Sequence, residues 1–268
     1  MNPHFWLKTC KDIGKKVFTE FKKYQKTKSG TKILKIGFGG DKTLLIDNLV
    51  EKIILNHLKS TGKSFIFISE EIGKLTIGKK PEVVITVDPL DGSNNITVGI
   101  PFVSTSIAIG DLSQKMSGVE VGYVKNLING DDYYAIKGKG AFKNNKRIHV
   151  IKKRTRCVIG DIAYNRRRNF QRIVRVGENF RMVRLFGSCC LGMCFFAEGM
   201  SDAYIGLGGK RTIDHAAAQL IIKEAGGIIK DLEGKYFSDY KIDFNIDVRF
   251  IATKNKKMYS EIRSYMGD

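Results

Sequence analysis

Long apolar runs are missing from this sequence. No stretch approaches the ~20 residues that a membrane-spanning helix requires. The N-terminal "MNPHFWLKTCKDIGKKVFTEFKKY" lacks the continuous apolar centre of a secretory leader. No membrane association and a cytoplasmic location are therefore expected. The apolar residues of that segment, Phe5, Leu7, Ile13, Val17, Phe18 and Phe21, instead suit one face of an amphipathic helix. Proline is scarce, at four residues, and no Ser/Pro-rich linker, low-complexity segment or internal repeat divides the chain. The five cysteines, at 10, 157, 189, 190 and 194, form no CxxC pair and no zinc spacing, which argues against a disulfide framework or a thiolate metal site. Cys190 and Cys194, on a helical stretch with Met193, Phe195 and Phe196, are expected as small buried apolar residues. The four histidines, His4, His57, His149 and His215, are scattered and fit no Ser–His triad. His215, beside Asp214, is expected at the surface or in packing.

Acidic residues are also few, 27 against 46 basic ones, for a formal net charge of +19. Between Lys146 and Arg184 thirteen basic residues face two acidic ones, Asp161 and Glu178, with a peak at Arg166, Arg167 and Arg168. Three readings compete: a nucleic-acid patch, a field that gathers anionic substrates, or a solvated surface. No aromatic interleaving or nucleic-acid-binding signature accompanies the block, so nucleic acid is not the expected partner.

A chain of 268 residues suffices for one large domain or two smaller ones. Helical spacing covers the first ~25 residues and "LLIDNLVEKIILNHLK", where Leu45, Leu49, Ile53 and Leu58 lie near one face. Between them a polar, Gly-containing stretch has no regular pattern. Strands are expected at "SFIFISEE", "VVITVD", "FVSTSIAIGD", "GVEVGYVKN" and within "DDYYAIKGKGAFKNNKRI". After about residue 150 strands alternate with helices: "CVIGDIAY", an Arg-rich helix, "RMVRLFG", "SCCLGMCFFAEG", "SDAYIGL", the helix "TIDHAAAQLIIKEAGG", "IIKDLEG", "VRFIATK" and a last helix from about 256 to 266. The pattern predicts layered α and β structure. A soft division near residue 148 would give an N-terminal subdomain, 1–148, and a C-terminal one, 149–268.

The acids cluster at strand ends: Glu70 and Glu71 after "FIFIS", then Asp88 and Asp91 around "VVITVDPLDGSNN", where Pro89 breaks the strand. Crowded carboxylates repel unless a cation neutralises them. Their oxygens are hard ligands suited to Mg²⁺ or Mn²⁺ rather than zinc. Gly92 permits an unusual backbone, and Ser93 and Asn94 can open a helix or turn whose free N–H groups bind an anion. An ordinary Asx-turn with a helix cap would account for the same run.

"SEE", "DPLDGSNN" and "IDHAAAQLIIKEAGG" resemble the three signature blocks of the inositol monophosphatase superfamily, and "GIPFVSTSIAI", "KGKGAF" and "AEGMSDAY" match between them. The resemblance runs from about residue 8 to 266. "SEEIG", "DGSNN" followed by "GIPF", and "VRLFG" point to the archaeal type that hydrolyses both inositol-1-phosphate and fructose-1,6-bisphosphate. It implies a layered α-β-α-β-α sandwich of mixed α/β (α+β) class. It also implies a homodimer, and two or three Mg²⁺ ions per site, or Mn²⁺, at the junction of the subdomains. Residue by residue, Glu70, Asp88 and the Leu90 carbonyl would hold one metal. Asp88, Asp91 and Asp214 would hold a second. Asp47 and Ser93 would orient the attacking water, and Glu71 would support them. The N–H groups of Gly92 and Ser93 would cradle phosphate. Paired cations activate a water, neutralise the phosphoryl oxygens and stabilise the leaving alkoxide.

Two departures concern the substrate side. Ile213 stands where the family commonly has Trp, and "GLGGKRTID" lacks the arginine of the fructose-bisphosphatase type and the glutamate of the inositol-specific type. Lys210 or Arg211 is the candidate replacement. Arg184 matches a substrate-contacting arginine, and Ser188 and Cys189 lie where relatives contact the sugar. The expectation is a Mg²⁺-dependent sugar or inositol phosphate phosphatase acting on a small phosphorylated substrate. Alternatives are a phosphatase for 3′-phosphoadenosine 5′-phosphate or NADP, and a non-catalytic relative that binds nucleic acid or protein.

Overall fold

Two helices, α1 (Pro3–Gln25) and α2 (Leu45–Ser60), form the first of five layers in the computed structural model, which describes residues 1–25, 33–36, 42–150, 155–162, 167–208 and 211–267. Between them lies a short antiparallel hairpin of β1 (Ile33–Ile36) and β2 (Lys42–Leu44), in the stretch where the sequence has no regular pattern. On α1 the fully buried stripe is Trp6, Cys10, Ile13, Val17 and Phe21, at helical spacing, while Phe5, Leu7 and Phe18 pack at its rim. On α2 the buried face is Ile46, Val50, Ile54 and Leu58. That is one position round from the expected Leu45, Leu49 and Ile53, which are half-buried. The rotation takes two acids, Asp47 and Glu51, into the interior, a placement that an apolar stripe alone does not reveal.

The second layer is an eight-stranded sheet. Its strands are β3 (Phe65–Ser69), β4 (Gly73–Ile77) and β5 (Val83–Asp91), then, after the short helix α3 (Ser93–Val98), β6 (Ser104–Gly110), β7 (Val119–Asn126), β8 (Asp132–Ile136), β9 (Gly140–Lys143) and β10 (Lys146–Ile148). Their order is β10-β9-β8-β7-β6-β5-β3-β4, and only β3 and β5 are parallel neighbours. Covered on both faces, β5 is buried along its whole length.

The second half supplies β11 (Cys157–Ile162), α4 (Arg167–Asn179), β12 (Met182–Leu185), α5 (Cys189–Ala197), β13 (Ala203–Leu207), α6 (Thr212–Glu224), β14 (Ile228–Asp231), β15 (Phe250–Thr253) and α7 (Lys256–Met266). The five strands order as β12-β11-β13-β15-β14. Alternation separates their two faces: Val158, Ala203, Ile205 and Ile251 pack under α4 and α7, whereas Ile159, Tyr204, Phe250 and Ala252 face α5 and α6. Helices α5 and α6 therefore form the middle layer and are buried nearly all round, as their apolar circumference requires. Gly122 allows the closest approach there. A Cβ at that position would lie 2.5 Å from the Ala217 carbonyl oxygen, so α6 rests directly on β7. The five layers are the α-β-α-β-α sandwich expected. No described helix is long and apolar enough to cross a membrane.

Candidate active site

Strand register brings the acids together. β3 and β5 run parallel with Ser69 opposite Val87, so the next residues, Glu70 and Asp88, emerge side by side. Both continue the face that carries Ile68 and Val84 toward the middle layer. Pro89 does not end β5, contrary to expectation. Between Asp88, paired with Ser106, and Asp91, paired with Ser104, the ladder absorbs one extra residue. This bulge turns Leu90 into the outer core and resets the alternation, so Asp91 points to the same side as Asp88. The Leu90 N–H donates to Asp88 Oδ1 at 3.1 Å and Thr105 Oγ1 donates to the Pro89 carbonyl at 2.7 Å. Both fix the bulge.

Helix α6 brings Asp214 from the other half of the chain, in its first turn. One carboxylate oxygen each from Glu70, Asp88 and Asp214 lie within 4.8 Å of one another. Asp88 is 4% exposed and Asp214 1%. Burial first, and then the charges of Glu70, Asp91 and Asp214, push the Asp88 carboxyl well above its usual range. Three hard oxygen donors, crowded and mostly desolvated, are a donor set that fits Mg²⁺ or Mn²⁺. A counter-charge on this cluster is Arg211, whose guanidinium pairs with Glu70 and lies 3.5 Å, through Nε, from Asp214 Oδ2. Its own backbone N–H donates to the same Asp214 oxygen at 3.2 Å.

Asp91 is held differently. The N-terminus of α5 caps it: the Cys189 and Cys190 N–H groups donate to Oδ1 and Oδ2, each at 2.9 Å. Ser104 Oγ donates at 2.9 Å and Ser188 Oγ donates to the same oxygen. An anion at a helix N-terminus is favoured by the free N–H groups and the dipole. Asp91, Cys189 and Cys190 form a second close group. Cys190 Sγ donates to the Asp214 carbonyl at 2.7 Å and so ties α5 to α6. All five cysteines are buried and outside any disulfide, as expected. Cys189 was expected on the substrate side, whereas the place of Cys190 beside the acids was not foreseen.

Gly92 follows at φ +92°, and a Cβ there would lie 2.9 Å from the Phe102 carbonyl oxygen and 3.0 Å from Ser188 Cβ. Only glycine fits both the conformation and the space. Ser93, half-buried, opens α3. Asn95 Nδ2 donates to the Phe102 and Phe186 carbonyls, both at 2.7 Å, and so joins this turn to the segment before α5. Glu51 and Asn95 are supporting residues that sequence reasoning missed. Ser69 Oγ and the Ile72 N–H both donate to Glu51, which anchors the turn presenting Glu70 and the buried Glu71. Asp47, 3% exposed, lies one turn before Glu51 on the same face of α2. That i, i+4 pair of acids was the available signal.

The substrate-side residues fare unevenly. Ser188 and Cys189 are buried at Asp91. Arg184 is exposed on the edge strand β12, where it donates to the Val183 carbonyl at 3.2 Å. Lys210 and Arg166 lie outside the described residues. His215 is a packing residue, 2% exposed, edge-on to Phe250 with ring centres 5.0 Å apart.

The chain is similar to known proteins along nearly its whole length. A fructose-1,6-bisphosphatase/inositol-1-monophosphatase of Methanothermobacter thermautotrophicus is 34% identical over 247 residues, covering 88% of this chain and 87% of its own. A bifunctional NADP phosphatase/NAD kinase of Methanococcus maripaludis is 36% identical over 98% of this chain, which spans 48% of that longer protein. Among solved structures, a Pyrococcus horikoshii protein described as similar to inositol-1 monophosphatase superposes with a TM-score of 0.84 at 27% identity, with 100% of both chains covered. The sequence model of the Inositol monophosphatase family matches residues 5–266. Matched along nearly its whole length, the chain belongs to the inositol monophosphatase family of phosphoric monoester hydrolases.

Proposed function

We propose that this chain is a Mg²⁺-dependent phosphatase that hydrolyses phosphate monoesters of inositol or sugars, inositol-1-phosphate and fructose-1,6-bisphosphate among them. The observation that carries this reading is the convergence of Glu70, Asp88 and Asp214 within 4.8 Å. Those three would hold divalent cations, with the Leu90 carbonyl and Asp91 completing the set. The bound cations would supply charge neutralisation of the phosphoryl group and of the leaving oxygen. The protein's own contribution is placement. The bulge at Pro89 sets Asp88 and Asp91 on one face, and the N-terminus of α5, with Ser188 before it and Ser104 on β6, fixes the Asp91 carboxylate. Gly92 lets the backbone N–H groups of the following turn approach a phosphate, and Asp47 and Ser93 would orient the attacking water. Ser188 and Cys189, at Asp91, would contact the sugar. Phosphate release from both esters, measured with Mg²⁺, after chelation and in Asp88→Asn protein, tests the reading. Full turnover without metal, or in the variant, overturns it.

A second substrate class has support of its own. The similarity to a relative named as an NADP phosphatase extends over 98% of this chain, and a chain of net charge +19 suits a more anionic substrate. NADP and 3′-phosphoadenosine 5′-phosphate belong beside the sugar esters in the same assay. We further propose a cytoplasmic homodimer with a subdomain division at residues 1–148 and 149–268, which sedimentation and limited proteolysis would test.

A further inference from the structure

Helices α4 and α7 pack together on the outer face of the five-stranded sheet, opposite α5 and α6. Where they meet the ends of β14 and β15, four arginines face one cavity of about 470 Å³: Arg168 and Arg172 from α4, Arg249 ahead of β15, and Arg263 from α7. Glu233 is the single acidic residue lining it among the described residues. A cavity of about 510 Å³ beside it is lined by Arg167, Arg168, Arg172 and Arg175, with no acid among the described residues. Two of these side chains are anchored to backbone: Arg263 Nε donates to the Leu232 carbonyl and Arg175 Nη1 to the Met266 carbonyl at 3.2 Å.

Arg172 is the exception. Its Nε and Nη1 are shut off from solvent and have no hydrogen-bond partner among the described residues. Burial, and then the neighbouring Arg168 and Arg249, lower its affinity for the proton. The residue as a whole is half-buried, and surrounding it with like charges is costly. A phosphate group in the cavity would offset that crowding, because the planar guanidinium fork matches its oxygens. The arginines converge on one cavity rather than tracking along a surface, which suits a small molecule and not a nucleic-acid strand. None of them belongs to the carboxylate cluster.

We propose that the cavity between α4 and α7 is a second anion-binding site, separate from the catalytic centre, for a small phosphate-bearing molecule carrying two or more negative charges. The site takes up part of the basic block and does not depend on the identity of the catalysed reaction. Inorganic diphosphate and inorganic phosphate are the probes. Each is titrated by calorimetry into the full chain, stripped of metal on a chelating resin, at constant ionic strength. Diphosphate is expected to bind, and more tightly than phosphate. Arg172→Gln and Arg249→Gln should each weaken diphosphate binding at least tenfold and leave phosphatase kcat without added diphosphate unchanged. Asp88→Asn should bind diphosphate as wild type does. The proposal is overturned if wild type binds diphosphate no better than chloride, if both arginine variants bind it as wild type does, or if Asp88→Asn abolishes binding. Should Arg172→Gln fail to fold, the Arg249→Gln protein alone decides.

Discussion

Arg211 pairs with two of the carboxylates proposed to hold a divalent cation, and replacing it should tighten metal binding. Its guanidinium bridges Glu70 and Asp214, with side-chain exposures of 13%, 18% and 2%, so solvent screening is limited. A charge-assisted hydrogen bond in such a setting contributes roughly 1.5–3 kcal/mol. A metal ion that takes over the same oxygens must displace that interaction. Arg211→Gln removes the charge and leaves the N-terminal backbone of α6 able to hold Asp214. At 1.4 kcal/mol per tenfold, calorimetric titration of Mg²⁺ or Mn²⁺ should show affinity rising by roughly 10- to 100-fold. The same change exposes the metal-free protein to carboxylate repulsion. Its Tm should fall by several degrees, at ~2–4 °C per kcal/mol for a chain of this size, and metal should restore it. Arg211→Lys, which keeps the charge without the fork, should lie between. Unchanged or weaker metal affinity in Arg211→Gln would refute the displacement argument.

Other outcomes follow from the same geometry. Asp88→Asn should lower kcat by on the order of 10³ or more, yet raise the Tm of the metal-free protein, because it relieves the repulsion that pushes the Asp88 carboxyl upward. A raised carboxyl contributes stability below the ordinary carboxylate range and loses it as pH climbs through the raised value. Stabilisation by Mg²⁺ should therefore grow between about pH 5 and pH 8, and melting curves with and without metal would show it. Gly92→Ala places a Cβ 2.9 Å from the Phe102 carbonyl oxygen at φ +92°. It should cost ~1–3 kcal/mol and most of the activity, read by chemical denaturation and phosphate release. Arg167 and Arg168 lie on α4, across the five-stranded sheet from α5 and α6, where a field screened over ~10 Å in 0.1 M salt is not expected to steer substrate. Changing both to Gln should leave the salt dependence of kcat/KM unaltered, and a flatter slope would revive substrate steering.

The strands and helices of the second half were legible in sequence because each has one strong signal, such as the glycine stop after α6. The acids were legible because they end apolar strands. What escaped depended on tertiary geometry. An apolar stripe cannot reveal that α2 turns Asp47 and Glu51 inward, since the Glu51 carboxylate is made tolerable by distant partners, Ser69 and the Ile72 N–H. Pro89 reads as a strand breaker, but β5 is allowed past it by a bulge whose partner, β6, is distant in sequence. Cys189 and Cys190 hold Asp91 through their backbone N–H groups, which carry no residue-specific signature. The short hairpin β1–β2 and the edge strand β4 are stabilised by pairing rather than by any pattern of their own.

The most direct test is anomalous diffraction from crystals of the protein soaked in Mn²⁺. The account predicts at least one strong peak bounded by Glu70, Asp88 and Asp214, within ~2.0–2.3 Å of an Asp88 oxygen, with the Arg211 guanidinium moved off Glu70. A fully active protein whose crystals show no peak among those three carboxylates, with Arg211 still seated on Glu70, would contradict it.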